Sequence, residues 1–262
     1  MSANPDGERL PKSVGGLIDF AYASYAAHAP LYLALAAGAL VAQAVLEYAI
    51  PAAPADTTQG ALKLIVLLDA SVFVDALIIA AVAVGAGARL ATAEATSRRI
   101  AGAALERWLP LVAIGIVVQL VQLNSFAFSG LGPLPEPRWI ALFTAPLVWL
   151  LWGVLALAPP IAALSGRRPL YAVLEGLWQA VTLSAHPANY WRLCFVAFIS
   201  ILPSLLQAIA FDASVAHHVA RPYFWANVPI DAVTVGPFAA LQTAFALDFA
   251  RRAGRLEHPP AN

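Results

Sequence analysis

Asp69 and Asp75 stand on one apolar stretch, residues 62–88, whose other members are mostly Leu, Ile, Val and Ala. A carboxyl group in such a run is the first candidate for chemistry. An ionisable side chain is costly in hydrocarbon and persists where it binds a proton or substrate, or takes part in hydrogen bonds between helices. On a helix, six residues of separation turn the two carboxyls about 120° apart, so they form no side-by-side acid–base pair. At ~1.5 Å per residue, Asp75 falls ~20 Å from residue 62, near the centre of a bilayer ~30 Å thick. A central Asp costs about 2.5–3.5 kcal/mol, and each Leu, Ile, Val or Phe of the same stretch returns about 0.3–0.6 kcal/mol, so insertion is near break-even. The same arithmetic puts Gln43, Gln119, Gln122, Gln207 and Gln242 at a similar depth. No lysine or arginine reaches that level, so Asp75 is either protonated or hydrogen-bonded by amides or water. Two readings follow. The layer is interhelical glue at about 0.6 kcal/mol per bond, or it lines a polar cavity through which a solute or proton moves. Asp231, Asp248 and Glu47, near the ends of their stretches, read as interfacial anchors or helix-end partners.

Other chemistry has little to stand on. His217 and His218 are adjacent, point apart on any regular helix and have no third ligand nearby. Cys194 is the single cysteine, which leaves no internal disulfide and no multi-cysteine metal site. There is no GxSxG elbow, no GxxxxGK[ST] loop and no HExxH helix. Gly85 and Gly87 read as close-packing residues rather than a phosphate cradle. The sequence therefore predicts no catalytic residues, no cofactor and no metal.

The elements that position these residues are six apolar stretches, 28–50, 62–88, 108–130, 139–164, 192–213 and 227–250. Each reaches the ~20 residues needed to cross a bilayer. Hydrophobic residues make up 61% of the 262 and charged residues 11%, well below the ~25% charge of soluble domains. With the N-terminus in the cytoplasm, Arg9, Lys12, Arg89, Arg98, Arg99, Arg107, Arg167, Arg168, Arg192, Arg251, Arg252 and Arg255 fall inside. Only Lys63, Arg138 and Arg221 fall outside. That bias predicts six spans with both termini cytoplasmic. Trp108, Trp139, Trp191 and Trp225 begin spans, where amphipathic rings prefer the headgroup level. Ala53-Pro54-Ala55 resembles a cleavage site, but the apolar core before it is too long, so the first span reads as an uncleaved anchor. Zero net charge points away from nucleic acid. Thirteen arginines against two lysines suit a GC-rich bacterial genome and hence a bacterial plasma (inner) membrane.

Returns at Arg89, Arg167-Arg168 and Arg251-Arg252, about 80 residues apart, suggest three helix-plus-hairpin units. Each begins with a cytoplasmic interfacial helix, over 13–27, 92–107 and 168–186. In the third, Leu170, Leu174, Leu177, Trp178 and Val181 recur at helical spacing, opposite Glu175, Gln179 and Thr182. In the first, Ile18, Ala21, Tyr22 and Tyr25 form a similar stripe. In the second, Glu94 and Arg98 are spaced for an i,i+4 pair. Trp178, Tyr22, Tyr25, Arg167, Arg168, Arg251 and Arg252 are thus the candidate interfacial contacts. These helices cap the bundle, or they dock on lipid or on a partner.

The run Leu247-Asp248-Phe249-Ala250-Arg251-Arg252-Ala253-Gly254 and the lead-in His186-Pro187-Ala188-Asn189-Tyr190-Trp191-Arg192 resemble the membrane domain that accompanies bacterial glycerophosphodiester phosphodiesterases, and its stand-alone relatives. The likeness covers nearly the whole chain and implies a six-helix membrane module with Asp248, Arg251 and Arg252 at its terminal motif. It does not imply phosphodiesterase chemistry, since the His-Arg pair and soluble barrel of that catalytic domain have no counterpart here.

The expected protein is thus an all-α integral membrane protein of one domain, 1–262, with six spans arranged as three hairpins. Its expected function is non-enzymatic: an accessory or structural component that engages membrane lipids, another membrane protein or a second copy of itself through its cytoplasmic helices. The alternative is a small transporter or permease with a midplane cavity around Asp75.

Overall fold

The structure is a computed structural model and describes residues 10–50, 58–91, 95–125, 139–165 and 169–253. Its elements are α1 (Val14–Ala27), α2 (Ala29–Ala49), α3 (Thr58–Leu90), α4 (Ser97–Ser125), α5 (Trp139–Ala156), α6 (Ala158–Ser165), α7 (Pro169–Ser184), α8 (Tyr190–Ala216) and α9 (Pro222–Arg252). A 3₁₀ turn, Pro187–Asn189, joins α7 to α8. There is no strand among the described residues. Six segments are long and apolar enough to cross a bilayer, Ala29–Ala49, Ala70–Leu90, Ser97–Gln122, Phe143–Ser165, Pro187–Ala216 and Pro222–Arg252. This is the coarse architecture of a multi-pass membrane protein.

Two boundaries differ from the sequence reading. The segments expected as an interfacial helix over 92–107 and a span from 108 form one continuous helix from Ser97. Nothing between them breaks the periodicity, and Pro110 is accommodated inside the helix. Trp108 consequently sits within a helix, where its indole N–H donates to the Phe73 carbonyl of α3 at 2.5 Å. The stretch 139–164 instead divides at Leu157 into α5 and α6, just before Pro159-Pro160, whose rings remove two backbone donors from the next turn.

Helix pairing follows small residues. A Cβ on Gly153 of α5 would meet the Ala197 backbone of α8 at 2.8 Å. One on Gly176 of α7 would meet Ala162 of α6 at the same distance, and one on Gly115 of α4 would meet Val72 of α3 at 2.5 Å. Without a strong hydrophobic drive between helices in lipid, such close backbone approach supplies the packing. α9 lies at the centre, in contact with α1, α2, α3, α6, α7 and α8. It runs antiparallel to α8, with Arg192 against Asp248 at one end and Gln207 against Asp231 nearer the other.

Burial is uneven along these helices. The core gathers Ala76–Ala86 of α3, Ile100–Ile114 of α4, Leu157–Ala163 around α6, Leu193–Ile201 of α8 and Ala239–Phe249 of α9. Beyond Ile114 in α4 and Ile201 in α8 none of the described residues is fully buried. The bundle is dense toward Asp248 and more open toward Glu47, where Glu47 of α2 and Phe224, Ala226 and Val228 of α9 are still buried. α1 belongs to the dense end. Leu17, Phe20 and Ala21 are buried, Tyr25 stacks on Tyr32 at 5.3 Å between centroids, and burial raises the Tyr25 phenol above the ordinary tyrosine range.

Candidate functional site

Three polar groupings lie along α9. At the open end, Glu47 closes α2 with its side chain only 4% exposed, and it takes both described cations of that end. Lys63 of α3 is 2.9 Å from its carboxylate and Arg221, just before α9, is 3.3 Å away. The Arg221 guanidinium also lies over the Tyr48 ring at 4.3 Å and donates to the Glu47 carbonyl. Arg221 holds φ +56°, a left-handed conformation that costs a non-glycine residue roughly 1–2 kcal/mol. The ion pair and the ring contact hold it there.

Ten residues past Arg221, the Asp231 carboxylate of α9 accepts from the Gln207 amide N–H of α8. Asp75 of α3 lies near Asp231, and Tyr223 at the start of α9 lies near Asp231, Glu47 and Asp75. Three acids from three helices thus share the open half of the bundle. Glu47 is neutralised by cations, whereas no ion pair reaches Asp75 or Asp231 among the described residues.

The predicted glutamine layer is brought together only in part. Gln207 bonds an acid; Gln43 is buried; the Gln119 side-chain oxygen is buried without a partner; Gln122 and Gln242 are half-buried. The Asp69 side chain is outside the described residues. Asp231, read from its position as a helix-end anchor, was missed as the neighbour of Asp75. The two are 156 residues apart, and no period links them.

At the dense end, Asp248 is fully buried and accepts from three arginines. Arg252 Nε is 2.8 Å away, and Arg192 and Arg251 also donate to the carboxylate. Arg192 and Arg251 then reach the Lys12 and Leu10 carbonyls, each at 2.5 Å. This hub ties the start of α8, the end of α9 and the segment before α1. Asn189 adds a second tie, donating to the Leu183 carbonyl at 2.8 Å and the Phe249 carbonyl at 3.5 Å. The terminal run and the lead-in singled out in the sequence therefore meet in space. Arg167 and Arg168 lie outside the described residues, as does Glu94, so the pairing expected of it with Arg98 is not described.

The two interfacial stripes fare differently. α7 turns Ala172, Gly176 and Ala180 inward and leaves Tyr171, Leu174, Trp178 and Val181 exposed, Trp178 by 68%. The α1 stripe splits: Tyr22 is 73% exposed while Ala21 is buried and Tyr25 packs on Gly236 of α9. No group of three His, Cys, Asp or Glu with metal-site geometry occurs among the described residues. Comparison with protein-family models, curated proteins and solved structures returns no match.

Proposed function

We propose that the chain is a non-enzymatic accessory or structural protein of the bacterial plasma membrane. In this reading its spans form three hairpins with both termini cytoplasmic, and it engages lipid or a partner protein through α7. One observation carries the reading: α7 docks by a small-residue face and presents Tyr171, Leu174, Trp178 and Val181 outward. A short helix with an aromatic and aliphatic outer face suits the headgroup–acyl boundary. The charge excess at the Asp248 hub, three guanidiniums for one carboxylate, suits the anionic leaflet beside it. The kinship with the glycerophosphodiester phosphodiesterase membrane domain belongs to the same proposal and rests on those hub residues.

The test is a nitroxide placed at Trp178→Cys in a Cys194→Ser background, in bilayer nanodiscs. Relaxation by oxygen exceeding that by a water-soluble nickel chelate is expected. Full exposure to the nickel reagent, with no protein crosslink from the same site, would sink the reading.

A second reading, a small transporter, is favoured by the Asp75–Asp231–Gln207 grouping. It expects carbodiimide to label Asp75 at neutral pH and a transported solute or proton gradient to suppress the labelling, with Asp75→Asn as control. An inert carboxyl leaves the grouping as interhelical glue.

A further inference from the structure

A cavity of about 430 Å³ opens where α1, α3 and α4 meet, within the ~300–1,000 Å³ range of ligand sites. Its wall includes Ser24 and His28 from the end of α1, Gly85 and Arg89 from the end of α3, and Thr96 at the start of α4. Three features give it a chemical preference. Arg89 supplies a cation at the rim. Ser24 is 2% exposed and its hydroxyl has no hydrogen-bond partner, which leaves a buried donor unspent. The first turn of α4 carries no acid and instead begins Ser97-Arg98-Arg99. Its amides and the helix dipole already favour negative charge, so two arginines there conflict with the field unless an anion offsets them. Among the described residues neither Arg98 nor Arg99 has an ion pair. Gly85 keeps the wall open: a Cβ there would meet the Tyr32 hydroxyl at 2.3 Å and the His28 ring at 3.6 Å.

We propose that this cavity binds a phosphate group, either of a lipid headgroup or of a soluble phosphate compound. Arg89 and the Ser24 hydroxyl face the oxyanion, Thr96, whose hydroxyl oxygen accepts the Arg99 backbone N–H at 3.4 Å, offers its O–H, and Arg98 and Arg99 with the α4 N-terminus supply the field. The site is separate from α7 and does not depend on the reading of that helix.

The test uses the full chain in an uncharged detergent, with inorganic phosphate and dihexanoyl phosphatidylglycerol as probes. Ionic strength is matched with chloride, so that general screening cancels. Thermal unfolding and equilibrium binding are measured for the parent, Ser24→Ala, Arg89→Gln and the Arg98→Gln/Arg99→Gln double variant. The double variant alters exposed side chains only, so it folds even if Arg89→Gln does not. The expected result is a raised melting temperature with a probe, and affinity about tenfold weaker or more in Arg89→Gln and in the double variant, the usual scale for losing a charged hydrogen bond. Without a probe, the double variant should melt at or above the parent, because the conflict with the helix dipole is gone. A response to both probes assigns the site to the phosphate group itself. A response to the lipid alone assigns a headgroup, and to inorganic phosphate alone a soluble ligand. No shift with either probe at matched ionic strength, or variants that bind as the parent does, overturns the proposal.

Discussion

A carboxylate with three guanidinium partners changes what a conservative substitution does. Asp248→Asn preserves shape but leaves Arg192, Arg251 and Arg252 facing one another with no counter-charge. Breaking a buried ion pair from one side costs about 3–5 kcal/mol, so a loss of that order is expected in reversible unfolding. Arg252→Gln leaves two partners in place and should cost about 1 kcal/mol or less, since its side chain is 28% exposed and partly screened. Equal losses from the two variants would show that Asp248 is held by packing and not by charge. The same logic sets Glu47 apart from Asp231. The first has two cations, while the second has an amide and a neighbouring acid, so replacing Asp231 with Asn should be far milder than replacing Glu47 with Gln.

At the scale of elements, glycines separate contact from propensity. Gly153→Ala drives a methyl into the α8 backbone at 2.8 Å and should cost about 1–3 kcal/mol as overpacking. Gly102→Ala, in an exposed turn of α4 with nothing within 4 Å, should instead gain about 0.5–1 kcal/mol from helix propensity. Thermal unfolding of the pair in micelles compares them; a loss at Gly102 would mean that α4 is packed there by something outside the chain. Element positions were largely legible in the sequence because length and hydropathy decide them. α2 spans Ala29–Ala49 and α7 Pro169–Ser184, against expected ranges of 28–50 and 168–186. What sequence could not show was which faces meet. Ile18, Ala21, Tyr22 and Tyr25 share a helical stripe, yet packing against α9 divides them. The Arg192–Asp248 contact was signalled only by the two flanking motifs, and the Asp75–Asp231 proximity by nothing local.

For the whole molecule, the arginine distribution makes a statement about orientation that the fold itself leaves open. Cysteines at positions 102 and 217, each in a Cys194→Ser background, test it with an impermeant maleimide. Labelling at 217 on intact cells, and at 102 only after lysis, is the outcome expected if both termini are cytoplasmic. The reverse would invert the topology. The density gradient makes a separate prediction. Amide exchange along α9 should be slow through Ala239–Phe249, its longest largely buried stretch, and faster from Ile230 to Val235, where no residue is buried. Pro229 and Pro237 each remove a backbone bond from that helix, and uniform exchange along α9 would contradict a one-sided core.

Three of the described helices carry an internal proline in the open half or at its margin, Pro146 in α5, Pro203 in α8, and Pro229 and Pro237 in α9. Helices fastened at one end and notched along their length act as cantilevers. Thermal bending grows with distance from the fastening, so the tips that carry Glu47, Lys63 and Arg221 sweep the widest arc, and the ion pairs there serve as the latch that closes it.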